Sequence, residues 1–314
     1  MSKFFIGIDL GGTSAKLALV DAKAKILEEA SVPTSAGASA QAVINEIMLA
    51  VKKFKNYKAV SSIGVGVAGD VDYTTGTVRF SPNLPKWRNV KVKAIMERLS
   101  SKKVFVDNDA NTAALGAFWL DASGKPQNLV CLTLGTGVGG GIIINKSLYR
   151  GASNTAGEIG HLTIDYNGAK CNCGNFGCIE TYLGASHLTR AAKAAYAKKQ
   201  SAQIKKLAGK NLNLITPQML ANAATLGDAI AKKIWTDAGQ KLGVAATGII
   251  NILNPDFIVL CGGIAQAGKL ITIPMETEIK KRAFKSAVKA CKIVVSKYTS
   301  KLGVVGAAML AQSK

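Results

Sequence analysis

The chain has 314 residues, with 40 Lys+Arg against 19 Asp+Glu and a formal charge of +21. Charged residues are only 19% and hydrophobic ones 48%, which excludes the regime of disordered chains, and the length allows two domains with ordinary cores. Its six cysteines are too sparse for a disulfide scaffold.

Phe4-Phe5-Ile6-Gly7-Ile8-Asp9-Leu10 is a β-rich run, Gly11-Gly12-Thr13 a turn, and 15–21 a second apolar run. The pattern predicts a hairpin whose tip is backbone. Asp9 interrupts the first run, which also lacks the length and cleavage site of a signal peptide, so a cytoplasmic protein is expected. In 41–54, Val43, Ile44, Ile47, Met48 and Val51 form the stripe of an amphipathic helix. A short strand then runs into Val106-Asp107-Asn108-Asp109-Ala110-Asn111 and an alanine-rich helical start.

Leu129 to Leu134, the turn Gly135-Thr136-Gly137 and the apolar run 138–144 repeat the first layout, so a duplication at domain scale is expected. Glycines clustered within the uncharged stretch 126–145 argue against a membrane helix. The segment 188–211, rich in Lys and Arg among alanines, reads as a solvated helical insert. Thr216-Pro217 gives an N-cap with proline at the first helical position. Residues 228–253 carry helical apolar spacing up to Pro255, the strand Phe257–Cys261 is followed by Gly262-Gly263, and 303–311 is small and apolar, suited to packing on a glycine turn. Strands alternating with helices imply an α/β architecture.

Glycine at a hairpin tip permits positive φ and removes the Cβ that would keep a phosphate from backbone N–H groups. Thr13 and Thr136 add hydroxyls, and Asp9 stands where a carboxylate could hold hydrated Mg²⁺. Tight turns use glycine anyway, but two matching hairpins and a later Gly-Gly favour phosphate. Neither a P-loop nor a dinucleotide fingerprint is present. At the end of a strand, a carboxylate of the 107–111 turn suits the base of a phosphoryl transfer, with Asn108 as an oriented hydrogen-bond partner to the acceptor. Asn108 or Asp109 capping the next helix is the competing reading. His161, Cys171, Cys173 and Cys178, spaced His-x9-Cys-x-Cys-x4-Cys, satisfy tetrahedral Zn²⁺ with no vacant position, which predicts a structural site. A redox pair would need Cys-x-x-Cys. Cys131, Cys261 and Cys291 read as buried thiols, His187 as a solvated helix residue, and Lys16 as exposed.

The two hairpins and the later Gly-Gly resemble the actin-like ATPase fold of sugar kinases, actin and heat-shock chaperones. Gly157-Glu158-Ile159-Gly160-His161, the run to Cys178-Ile179-Glu180, and Asn108-Asp109-Ala110-Asn111 resemble the ROK family (repressors, open reading frames, kinases), its bacterial glucokinases in particular, from Ile6 to about Ala308. The resemblance implies an α/β, two-lobed actin-like ATPase (ribonuclease H-like) fold, with a duplicated α/β domain and an interlobe cleft. The expected lobes are 1–112 plus about 302–314, with the catalytic carboxylate, and 113–301, with the zinc site. The resemblance makes Asp109 the catalytic base, with Asp107 the fallback. Gly69, Asn83, Asn108, Asp109, Glu158, His161 and Glu180 become sugar ligands. Asp9, Gly11, Gly12, Thr13, Thr136, Gly137, Gly262 and Gly263 become ATP and Mg²⁺ ligands. His161, Cys171, Cys173 and Cys178 take zinc, which fixes the imidazole toward the sugar.

The implied activity is ATP-dependent phosphorylation of the 6-hydroxyl of glucose by a homo-oligomer, dimer or tetramer, with no membrane or specific nucleic-acid partner. Kinases for another hexose or an N-acetylhexosamine and a polyphosphate glucokinase remain alternatives. A sugar-responsive regulator of the family would carry a helix-turn-helix ahead of the first hairpin, where Asp9 leaves no room, although the +21 charge favours polyanions.

Overall fold

The computed structural model describes residues 3–35, 37–198, 201–209 and 211–312. Strands β1 (Phe4–Leu10), β2 (Ser14–Asp21) and β3 (Ile26–Pro33) are followed by helix α1 (Ala40–Val51) and β4 (Val60–Val67). The short strands β5 (Asp70–Asp72), β6 (Thr77–Phe80) and β7 (Arg88–Val90) form a small sheet of their own, and α2 (Val92–Ser100), β8 (Lys103–Asn108) and α3 (Asp109–Leu120) complete this part of the chain. The first large sheet has the order β3-β2-β1-β4-β8, with β4 and β8 parallel to β1.

Alternation along β1 sends Ile6, Ile8 and Leu10 into a core with α1 and α2, while Phe5 packs on the other face against the last helix. On that second face Gly7 and Gly64 let the helix backbone lie directly on the strands: a Cβ at Gly7 would stand 2.9 Å from Ala308 N, and one at Gly64 2.7 Å from the Ala307 carbonyl carbon.

Strands β9 (Leu129–Leu134), β10 (Val138–Ile144) and β11 (Ser147–Tyr149) lead to helices α4 (Glu180–Leu183), α5 (Ala185–Lys198), α6 (Ala202–Ala208), α7 (Pro217–Thr225) and α8 (Ala229–Leu253). Then come β12 (Phe257–Cys261), α9 (Lys269–Arg282), α10 (Lys285–Ala290), β13 (Lys292–Val295) and α11 (Leu302–Gln312), the helix lying on Gly7 and Gly64. The second large sheet has the order β11-β10-β9-β12-β13. The predicted cap is present, with Thr216 Oγ1 accepting from Met219 N and Pro217 in the first turn, and the structure adds a second, Asp228 at the start of α8. Among the described residues no helix is long and apolar enough to cross a membrane.

Two compact units emerge, residues 1–131, 141–157 and 300–314, and residues 132–140 and 158–299. The boundary differs from the expected one at 112 because α3 is buried along most of its length and packs backbone to backbone on α11. The insert is not simply solvated either. Leu188, Ala192, Tyr196 and Ile204 are buried, and the Tyr196 hydroxyl donates to Asp228 Oδ1 at 2.7 Å. Residues 199, 200 and 210 of it lie outside the described residues. Cys131 and Cys261 are buried as expected, whereas Cys291 is half-buried.

Candidate active site

In the first unit, β1 and β2 pair Asp9 with Lys16 and Leu10 with Ala15, leaving Gly11, Gly12 and Thr13 at the tip. Thr34, directly after β3, holds the tip, its N–H donating to the Thr13 carbonyl at 2.9 Å and its hydroxyl to the Gly11 carbonyl at 2.8 Å. Gly12 lies against the loop of Asn83, where a Cβ would stand 3.0 Å from Asn83 Cβ. The Asn83 side chain is exposed. Asp9, next to last in β1, lies beside the first turn of α11, and a Cβ at Gly303 would stand 2.7 Å from its Oδ2. Burial pushes the Asp9 carboxyl above the usual carboxylate value, with Lys16 pulling the other way. Lys16 itself is exposed and donates to the Ser300 carbonyl at 3.3 Å.

Register places Asp9, Gly66 and Asp107 in one row across β1, β4 and β8. Immediately beyond that row, Asn108 caps α3, its Oδ1 accepting from Ala110 N at 2.8 Å and Asn111 N at 3.3 Å. Its Nδ2 donates to the Gly69 carbonyl at 3.0 Å. The capping reading of Asn108 therefore holds, and one amide proton remains for another acceptor. Gly69 needs its φ of +122° to make this turn, and a Cβ there would stand 2.8 Å from Ser81 Cα. Asp109 is the first residue of α3, half-buried, with Oδ1 accepting from Ala110 N at 2.9 Å.

Asp107 is buried and saturated. Its Oδ1 accepts from Asn108 N and Asn111 Nδ2, each at 2.8 Å, and its Oδ2 from Arg150 Nε and Nη2, each at 2.8 Å. A carboxylate offers about four acceptor positions, so Asp107 has none left for a substrate, and the fallback base loses its footing. Arg150 was not singled out in the sequence: a lone arginine 43 residues from its partner carries no local signal.

In the second unit, Gly135 N donates to the Gly137 carbonyl at 2.9 Å, closing the second glycine turn. Glu180, at the start of α4, reaches this turn: its Oε2 accepts from Val138 N at 2.9 Å, and a Cβ at Gly137 would overlap the carboxylate. Ala185 N donates to the Gly135 carbonyl at 3.0 Å, so α5 begins at the turn. Here His187 departs from expectation. It is half-buried, hydrogen-bonded with Arg190, and packed on Gly184, which abuts the Thr136 carbonyl. Burial and then Arg190 lower its pKa, with Glu180 opposing. At the end of β12, Gly262 takes a φ of +92°, and Ile264 N donates to the Leu134 carbonyl at 3.0 Å, while Gly263 has open space around it.

The ligand atoms of His161, Cys171, Cys173 and Cys178 all lie within 4.8 Å of one another. Cys171 Sγ is 3.8 Å from His161 Nδ1, and Cys173 Sγ 3.8 Å from Cys178 Sγ. With Zn–S of about 2.3 Å and Zn–N of about 2.0 Å, tetrahedral edges are about 3.8 Å between sulfurs and about 3.5 Å between sulfur and nitrogen. The donor set fits that ion. Burial, with the neighbouring thiols, pushes the Cys178 thiol up to about 12. With Nδ1 turned to the thiols, His161 Nε2 faces outward, 3.9 Å from the exposed Glu158 carboxylate.

The ROK family profile matches residues 5–314. A glucokinase of Thermotoga maritima is 34% identical over 309 residues, 98% of this chain and 97% of that protein. A xylose repressor of Caldicellulosiruptor bescii is 31% identical, covering 96% of this chain and 76% of its own length. Among solved structures, a ROK family glucokinase from Streptomyces griseus, in complex with glucose and AMPPNP, superposes with a TM-score of 0.83 at 31% identity, covering 99% of this chain and 100% of that one. The fold is thus the two-lobed α/β fold of the actin-like ATPases, and the chain belongs to the ROK family.

Proposed function

We propose that this chain is an ATP-dependent sugar kinase that transfers the γ-phosphoryl group to the 6-hydroxyl of glucose, with Asp109 as the general base. Its glucokinase relatives support the reaction class. The choice of base rests on one observation: Asp107, the other carboxylate of the turn, is fully engaged by Arg150, Asn108 and Asn111.

In this reading Asp109 accepts the proton of the attacking hydroxyl. Asn83, Asn108, the Gly69 turn, Glu158, His161 and Glu180 hold the sugar hydroxyls. Backbone N–H groups of Gly12, Thr13, Thr136 and Gly137 hold the phosphates, Gly11 shaping the first turn by donating its own N–H to the Ser14 carbonyl, and the Gly262-Gly263 turn takes the adenosine side. Asp9 is the residue that would hold hydrated Mg²⁺, which neutralises charge on the transferring phosphoryl group. Zn²⁺ on His161, Cys171, Cys173 and Cys178 would be structural, keeping His161 Nε2 protonated and outward as a donor. Exclusion of water during transfer requires closure around both substrates.

The kinship with a xylose repressor and the +21 charge favour a second reading, a sugar-responsive regulator. An assay over glucose, mannose, fructose, allose, N-acetylglucosamine and N-acetylmannosamine, read by coupled ADP release with ATP as donor and by the sugar phosphate formed with polyphosphate as donor, separates the two. Glucose with ATP is expected to give the highest kcat/KM. No turnover of any sugar would refute the kinase, and tight duplex binding in physiological salt would favour the regulator.

A further inference from the structure

The Asp107–Arg150 pair does more than fill a buried position. Arg150 is the hub of three segments of the first unit. Its guanidinium grips Asp107 Oδ2 through Nε and Nη2, each at 2.8 Å, and stacks on the Tyr73 ring at 3.6 Å from the centroid. Its carbonyl accepts from Ala156 N at 2.9 Å, closing the loop after β11. Tyr73 follows β5, the strand that starts directly after Gly69, and Gly69 is bonded to the Asn108 amide. The other oxygen of Asp107 holds Asn108 N and Asn111 Nδ2 at 2.8 Å. The residue before Asp109 and the residue two beyond it are thereby fixed by one carboxylate, whose orientation is set by a two-pronged, stacked arginine.

We propose that Arg150 is a positioning residue for phosphoryl transfer: through Asp107 it fixes the turn from which Asp109 acts. The proposal rests on Asp109 being the base. A purely structural pair would lower stability and leave turnover per folded molecule unchanged. A positioning pair lowers kcat and spares KM for ATP, because the first glycine hairpin is held separately by Thr34.

The test compares R150Q, R150K, the double variant D107N/R150Q and D109A. The readouts are kcat and KM for glucose and ATP, with hydrogen exchange at the amides of Asn108 and Asn111 in the substrate-free chain. R150Q is expected to lose about 10- to 100-fold in kcat with faster exchange at both amides. R150K, which keeps charge but loses the fork and the stack, should fall between. The double variant should recover most of the loss. It leaves no unpaired buried charge, and the amide at 107 still accepts from Asn108 N and Asn111 Nδ2. Should R150Q not fold, R150K and the double variant carry the comparison. Unchanged kcat in R150Q, or in R150K if it stands in, would overturn the proposal. So would a double variant no better than the single one that folds. Near-normal turnover in D109A would instead overturn the choice of base, and is read independently of the exchange data.

Discussion

Gly306→Ala tests how the last helix positions the turn that carries the proposed base. A methyl at Gly306 would stand 2.6 Å from Gly116 N and closer still to the Thr112 carbonyl oxygen. An ordinary contact needs about 3.4 Å, so α3 and α11 must separate by at least about 0.8 Å. Both sides of the contact are backbone, so no rotamer change relieves it. Thr112 lies in the first turn of α3, and its hydroxyl donates to the Asp109 carbonyl at 2.9 Å, so the shift reaches the proposed base. Overpacking of this kind costs about 1–3 kcal/mol, a fall in Tm of roughly 2–5 °C for a chain of this size. A base displaced by about 1 Å loses on the order of 100-fold in rate. Differential scanning fluorimetry and ADP-release kinetics read the two effects. Wild-type Tm and kcat together would refute the packing argument, and lost Tm with unchanged kcat would sever α11 from the turn of the proposed base.

Cys178→Ala should lower bound zinc from about one per chain to none by plasma mass spectrometry and raise KM for the sugar; full zinc retention would contradict the four-ligand site. Glu180→Ala frees Val138 N beside the second glycine turn, so KM should rise for ATP as well as for glucose, whereas an effect on glucose alone would confine Glu180 to the sugar. Burial opposes the charge on Asp228, but hydrogen bonds from Ser201, Ala231, Tyr196 and Ile230 outweigh it and hold the carboxyl below its usual value. A depressed folded pKa contributes stability above the unfolded carboxylate pKa and loses it as pH falls through the folded one. Asp228→Asn should therefore be less stable than the parent at neutral pH, with the gap closing on acidification; a gap that widens toward low pH would show the sign to be wrong.

The elements that were legible in the sequence announce themselves locally. The two glycine hairpins, the N-cap Thr216, and the His/Cys cluster depend on spacing within a few residues, and each appears where expected. The small apolar segment 303–311 was rightly read as a close-packing helix, but what it meets are Gly7 and Gly64 of the strands and the backbone of α3. The ties that were not legible join residues far apart in sequence: Arg150 to Asp107 across 43 positions, Glu180 to Val138 across 42, and Tyr196 to Asp228 across 32. No periodicity encodes such pairs, because each exists only once the sheets and helices have brought the segments together. The basic surface looked functional by composition, yet in the turn 107–111 a single arginine engages the buried Asp107.

The central claim, that Asp109 takes the proton from the sugar hydroxyl, is tested most directly by the turnover of Asp109→Asn with glucose and ATP, measured beside glucose binding by calorimetry. A positioned general base contributes about 10²- to 10⁴-fold. The account predicts a loss of at least that size, with folding and glucose binding retained; turnover within a few fold of the parent enzyme would contradict it.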